Sequence, residues 1–379
     1  MFSITFPIFL YRFLPARLAS LFHLIFDISI SSFLLIIGRV LPSLRLQLPT
    51  SPTHLSGRTA IITGSNSGIG LQIALDLTRL GATVILACRN VDKAEAAKAQ
   101  ILSAYPGAKD RILLYKLDTS SLASVRDFAD QWHSQSSNAK KVDILIHNAG
   151  IAGIPTGAAE FSEEGFELTY ATNLLGSFLL TYLLEKYLAE DARVIFTSST
   201  GQYSGRISKD FSIKFVRRKI EPGFHVAGHP ARSAQKLAGA SSRYGQTKAM
   251  QCAFARALQA RFERKARDAG ILNRKVVHAF TPGFTATPIF GKCEVRSLVS
   301  DPAFAILKAT TVLATHVSEG AATGTWLAST DDGDVVGPGQ GGRYWDRCVP
   351  RMSKADLLGD ETIDRLWLRW EADAGIEWR

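Results

Sequence analysis

A glycine-rich octapeptide, Thr63-Gly64-Ser65-Asn66-Ser67-Gly68-Ile69-Gly70, follows the apolar run Thr59-Ala-Ile-Ile62 and opens a helical stretch, Leu71 to Leu80, that ends at Gly81. A short apolar run bounded by a turn reads as a buried strand. Strand, tight glycine turn and helix in that order begin a β-α-β unit, which commits the chain to a parallel sheet with helices on its faces. The same turn suits a dinucleotide pyrophosphate. Backbone can approach phosphates where no Cβ intervenes, and the free N–H groups and positive dipole of a helix start favour an anion. Gly64, Ser65, Ser67, Gly68, Ile69 and Gly70 are the candidate contacts. An ordinary tight turn is the plainer reading of the glycines alone, and the β-α-β context weighs against it.

The pattern continues as a doubly wound sheet would. A second strand, Ala82-Thr-Val-Ile-Leu-Ala87, ends at Cys88-Arg89, where an acidic residue would receive a ribose 2′-hydroxyl. Arg89 is a cation suited to a 2′-phosphate, which points to NADP(H); the alternative is a strand-end arginine in solvent. Asp118 follows the strand from Arg111 to Leu117, and Asn148-Ala149-Gly150 follows Val142 to His147. Open α/β sheets bind ligands just past the carboxyl ends of their strands, so Asp118 is placed for an adenine amino group and the Asn148 segment to lie along the cofactor. Both are also ordinary turn formers.

Further along, the strand Arg193 to Ser198 runs into Ser199, and a helix carries Tyr244 and Lys248. Four residues apart, the two side chains leave the same helix face. An ammonium beside a phenol favours the phenolate and pulls its proton affinity toward neutral pH. By itself the pair is also what a solvated helix face would show. Ser199 would be a second donor to a substrate oxygen. Asn173 sits within the apolar segment Ala171 to Phe178, where a buried amide must find partners. It is either a satisfied core amide or the holder of a water linking Lys248 to solvent.

Together the glycine pattern, Asn148-Ala-Gly150, Ser199, Tyr244-x-x-x-Lys248 and Pro282-Gly283 resemble the short-chain dehydrogenase/reductase family over about residues 57 to 350. Leu86-Ala-Cys-Arg89, Asn173 to Leu180 and the tail Arg343-Tyr-Trp-Asp-Arg-Cys348 look like its retinol-dehydrogenase branch. The resemblance implies a single Rossmann-type domain. It makes Tyr244 the general acid/base, Lys248 its partner and a ribose ligand, Ser199 the group polarising the carbonyl, and Asn173 the end of a proton relay. It also implies that the Pro282-Gly283-Phe284-Thr285-Ala-Thr287 turn holds the nicotinamide carboxamide. The branch favours NADP(H) and lipophilic alcohols or ketones, and members commonly pair as homodimers through the helices carrying Asn173 and Tyr244.

Three segments fall outside the pattern. Between Ser199 and Tyr244 lies a long insertion, 205–242, with Arg206, Lys209, Lys214, Arg217, Arg218 and Lys219 opposed over that run by Asp210. It reads as a solvated surface or as a basic lip on an anionic membrane. Within 1–50, Leu18 to Gly38 gives 21 residues, enough to span a membrane at about 1.5 Å per residue, although it contains His23 and Asp27. This is the expected amino-terminal anchor, placing the enzyme on the endoplasmic reticulum facing the cytosol. A helical tail is expected over 351–379. The net charge is +10, of which four Arg and one Asp in 1–50 account for +3, leaving +7. That balance suits anionic cofactors and membranes, and with no basic-aromatic motif nucleic acid is not expected. Cys88, Cys252, Cys293 and Cys348 have neither metal nor disulfide spacing and suggest reduced thiols. A hydrolase would need a Gly-x-Ser-x-Gly elbow, which is missing. The non-enzymatic alternative is a scaffold that binds NADPH.

Overall fold

The computed structural model describes residues 54–134, 141–152, 160–205, 207, 240–285 and 314–378. Its strands are β1 (Thr59–Thr63), β2 (Thr83–Cys88), β3 (Ile112–Lys116), β4 (Val142–His147), β5 (Leu188–Thr197), β6 (Val276–Thr281), β7 (Tyr344–Asp346) and β8 (Val349–Arg351). They form one sheet in the order β3-β2-β1-β4-β5-β6-β7-β8, parallel up to β7 and closed by an antiparallel β8. Ile61 of β1 pairs with Ile85 on one side and Leu145 on the other. Strand order therefore reverses at β1 and β4, and the crevice beyond their carboxyl ends is where such a sheet takes a ligand.

The helices are α1 (Gly68–Arg79), α2 (Val91–Ala104), α3 (Leu122–His133), α4 (Leu168–Tyr170), α5 (Gly176–Leu184), α6 (Ala240–Asp268), α7 (Val317–Ser329), α8 (Gly333–Val336) and α9 (Asp360–Ala374). Alternate strand residues face opposite ways, and the two faces fill separately. Ala60, Ile62, Val84 and Leu86 pack with Ile73 and Leu77 of α1 and Leu327 of α7. Ile61, Ile85 and Leu145 pack with Phe128 of α3, Phe178 of α5 and Phe254 of α6. The sheet is thus covered on both faces, as a buried parallel sheet must be.

α9 belongs to the second face. Its Trp367 and Trp370 rings lie 5.1 and 5.8 Å from Phe178, and Trp378 lies 5.0 Å from the same ring. Edge-to-face aromatic packing of this kind fixes the end of the chain over α5 and α6. Gly176, at the start of α5, is needed for close approach: an added Cβ would run into the backbone of Thr119.

Two element starts differ from the sequence reading, and one turn carried no signal in it. α1 begins at Gly68 rather than Leu71, because Ser67 is its N-cap and the glycines form its first turn. β5 begins at Leu188 rather than Arg193; its register against β4 shifts between Val142 and Ile144, a bulge that leaves no periodic signature. β7 turns back into β8 through Arg347 and Cys348 at φ 50° and 58°, a left-handed pair more often built from Asn and Gly. The anchor stretch Leu18 to Gly38 and nearly all of the basic insertion lie outside the described residues. Among those described, no helix is long and apolar enough to cross a membrane.

Candidate active site

The glycine turn is shaped by backbone approach. Gly64 has φ 65°, and a Cβ there would stand 2.8 Å from Cα of Ala149. A Cβ on Gly70 would lie 2.7 Å from the Gly64 carbonyl. These contacts leave the turn open to backbone on one side and to solvent on the other. Ser67 caps α1 without a side-chain hydrogen bond, so the first N–H groups of the helix are not taken by its cap. This cradle fits a pyrophosphate.

Around it, the predicted residues divide into lining and support. Ser65 is buried and donates to the Ile62 carbonyl at 2.9 Å, so its hydroxyl shapes the turn from inside. The Ile69 side chain packs into the core. The Asn148 side chain is engaged with the turn. Nδ2 donates to the carbonyls of Thr63 and Gly64 at 3.0 and 3.2 Å, and the N–H groups of Asn148 and Ala149 both donate to Thr63 Oγ1 at 3.0 Å. The end of β4 thereby locks the end of β1. Thr63 was not singled out in the sequence; a strand-terminal threonine before the turn was its only signal.

Arg89 stands at the end of β2 with a largely exposed side chain, 3.8 Å from Asp118. Asp118 Oδ1 accepts from both the N–H and the hydroxyl of Ser120, so this carboxylate orders the loop after β3. At the other end of the crevice, Gly283 has φ 67° and donates to Thr281 Oγ1. Thr285 Oγ1 donates to the Pro282 carbonyl at 2.6 Å. The Phe284 carbonyl accepts from both N and Oγ1 of Thr315, at 2.8 and 3.1 Å, which occupies both of its lone pairs. The turn from 282 to 285 is thus held by its own chain. Thr287 lies outside the described residues.

Ser199, Tyr244 and Lys248 come together where β5 ends and α6 begins. Ser199 hydrogen-bonds the Tyr244 phenol and accepts from the Gly201 N–H at 3.0 Å. Lys248 Nζ lies 5.4 Å from the Tyr244 ring centre, as the four-residue spacing requires. Burial pushes the Tyr244 phenol up to about 12, with the Ser199 hydrogen bond opposing, and pulls the Lys248 ammonium down to about 7. The sequence reading expected the lysine to draw the phenol toward neutrality. Burial opposes that pull, because the low-dielectric site that disfavours a phenolate also disfavours the cation beside it.

Lys248 Nζ donates to the Thr197 carbonyl at 2.8 Å and to Gln251 Oε1 at 3.1 Å. Gln251 Nε2 donates onward to the Asn173 carbonyl at 2.7 Å. Asn173 lies in a π-helical turn, Ala171–Leu175, between α4 and α5. Its side chain accepts from Ile151 N and donates to Ile151 O and Thr247 Oγ1. Gln251 was missed in the sequence, although it is one turn past Lys248 and two past Tyr244 on one helix face. Arg243, just before Tyr244, pairs with Glu167 at 3.2 Å in full burial. Among the described residues no cluster could hold a metal ion.

Comparison with known proteins gives consistent answers. A family model described as short chain dehydrogenase matches residues 58–209. Retinol dehydrogenase 12 of Mus musculus is 30% identical over 355 residues, covering 92% of this chain and 98% of the relative. Retinol dehydrogenase 13 of Homo sapiens is 30% identical over 339 residues, 86% of this chain and 87% of the relative. A solved structure of an uncharacterized protein from Mycobacterium Paratuberculosis superimposes with TM-score 0.59 at 25% identity, covering 87% of this chain and 97% of that one. A short chain dehydrogenase from Shigella flexneri 2A, solved in complex with NADP, shares the fold at TM-score 0.54 and 18% identity, covering 79% of this chain and 100% of that one.

Proposed function

Because the chain belongs to the short-chain dehydrogenase family and is retinol-dehydrogenase-like, we propose that it interconverts an alcohol and a carbonyl on a bulky lipophilic substrate, using NADP(H). The substrate would be a secondary alcohol and ketone or a primary alcohol and aldehyde. The observation that carries this reading is the meeting of Ser199, Tyr244 and Lys248 at the carboxyl edge of the sheet, beside a glycine cradle fit for a dinucleotide. The cofactor, when bound, supplies or accepts the hydride. Tyr244 gives its proton to the substrate oxygen in reduction and takes it back in oxidation. Ser199 holds that oxygen with a second hydrogen bond. Lys248 stabilises the phenolate as it forms and would hydrogen-bond the cofactor's ribose.

The preference for NADP(H) rests on Arg89, which is exposed enough to swing from its long contact with Asp118 onto a 2′-phosphate. Arg89→Ala is expected to weaken NADPH binding about tenfold while leaving NADH binding unchanged, a hydrogen bond to a charged group being worth about 1.5–3 kcal/mol less screening at an exposed site. Titration of cofactor fluorescence reads both constants; equal losses for the two cofactors would remove the basis for the preference. The activity itself is tested by NADPH consumption with a panel of lipophilic aldehydes and ketones. Turnover of one or more supports the reading. Stoichiometric NADPH binding with no turnover would favour the scaffold.

The amino-terminal apolar segment is proposed to attach the protein to the endoplasmic reticulum membrane with the catalytic domain in the cytosol. The free thiols at Cys88, Cys252 and Cys348 support a reducing compartment. Full-length protein should stay with membranes through carbonate extraction, and complete release would count against the anchor. Pairing as a homodimer is also proposed; α9 packs over α5 and α6, so a dimer built on those helices would include α9 in its interface.

A further inference from the structure

We propose that Gln251 is the positioning residue of this site, its side-chain amide spanning the gap between Lys248 and the Asn173 carbonyl. The inference deepens the reductase reading and rests on it only for its kinetic consequence. Its basis is geometric. Gln251 Oε1 accepts from Lys248 Nζ at 3.1 Å, and Nε2 donates to the Asn173 carbonyl at 2.7 Å. Gln251 and Asn173 are 0% exposed and Lys248 is 2% exposed, so their polar atoms take their partners from within the protein. The Asn173 carbonyl is a backbone atom of a π-helical turn, fixed by a side chain tied to both Ile151 and Thr247. Gln251 therefore transmits a rigid reference point to the ammonium, which has Thr197 O as its other acceptor.

The chemistry of an amide differs from that of water in this position. Water can accept a proton on one side and release another. A primary amide keeps its N–H protons and offers a weakly basic oxygen, so it orders Lys248 without passing its proton on.

Among the described residues, the groups facing Lys248 are few. From its own helix come Tyr244, Gln251 and the Cys252 thiol; from β5, the Thr197 carbonyl; from the loop after β4, Gly150; and from the π-helical turn, Asn173. Cys252 is pushed up to about 12 by burial and stays neutral near pH 7. Burial has already brought the ammonium down to about 7, so losing or strengthening one acceptor changes its charge state where it matters.

The test is a titration of Lys248 in the full-length protein, labelled with ¹³C at lysine Cε and observed by NMR, with the resonance identified by its loss in Lys248→Met. Gln251→Leu removes the acceptor and keeps the bulk, so the midpoint should fall by about one pH unit; Gln251→Glu puts a carboxylate there, so it should rise by about one unit. Midpoints that coincide with the wild type in both variants would overturn the proposal. Kinetics gives the second readout, using NADPH and decanal as the probe carbonyl. Reduction needs the ammonium, so kcat/KM falls as pH rises through the Lys248 midpoint, and that limb should move down in Gln251→Leu and up in Gln251→Glu. A merely structural role would scale the rate equally at every pH and leave the limb in place, which would also overturn the proposal. A titration that moves as stated in a protein that reduces no carbonyl would leave the role of Gln251 standing while the reductase reading fell.

Discussion

Tyr244→Phe should bind NADPH as the parent does and lose carbonyl reduction by about 10²- to 10⁴-fold, the range a positioned general acid contributes. The substitution deletes one oxygen. The ring remains, with the Lys248 ammonium 5.4 Å from its centre. What goes is the hydroxyl that Ser199 orients and the proton it would hand to a substrate oxygen. The size of the effect follows from burial. With the phenol held near 12 it stays protonated across the working range, so reduction always finds its acid in place. Oxidation requires the phenolate and should be favoured by alkaline pH, although Lys248, brought down to about 7, has by then given up its charge. Steady-state rates of the variant with the best carbonyl of the panel, beside its cofactor affinity, decide the matter. Residual turnover within tenfold of the parent would move the acid elsewhere.

How much of this was visible in the chain depends on whether a signal was local. The glycine turn was legible because Gly64 at positive φ and Gly70 against a carbonyl admit no other residue, so sequence carries the geometry directly. β1, β2 and β4 were legible because both faces of a parallel strand are buried and the runs are apolar throughout. The bulge in β5 was not, since a register shift depends on the partner strand. The pairing of Tyr244 with Lys248 was legible from helical spacing, while its electrostatics were not. Sequence shows that a cation is near, but only the fold shows that Lys248 is buried and Tyr244 half-buried. Gln251 shares the same spacing rule yet reads as an ordinary helix residue, because its meaning comes from a π-helical turn 78 positions away in the chain. Asn148 was assigned to the crevice for its place after β4. Its amide closes on two backbone carbonyls of the glycine turn, a contact that only the sheet order brings about.

Arg243→Leu should destabilise the protein by about 3–5 kcal/mol, the cost of leaving one member of a buried ion pair without its partner. Arg243 Nε and Glu167 Oε1 are 3.2 Å apart, and both side chains are 3% exposed. Glu167 is committed on its other oxygen, which accepts the Tyr170 N–H at 2.8 Å and caps α4. Its carboxylate therefore cannot turn to water when the guanidinium is lost. The exposed pair Arg365–Glu361, at 3.9 Å on α9, shows the contrast: solvent screens it, and its removal should cost no more than about 1 kcal/mol. The buried pair also joins the two halves of the site. Arg243 is the residue before Tyr244, and Glu167 begins the helical run that carries Asn173. Loss of stability should thus come with a fall in turnover larger than the fall in cofactor affinity. Adding Glu167→Gln to Arg243→Leu removes the stranded charge but keeps the cap on Tyr170, and it should recover more than half of the loss. Thermal or denaturant unfolding of the single and double variants separates the cases. A double variant no more stable than Arg243→Leu would mean that the arginine acts through packing, and the charge on Glu167 would then have no part in holding Tyr244 at its post.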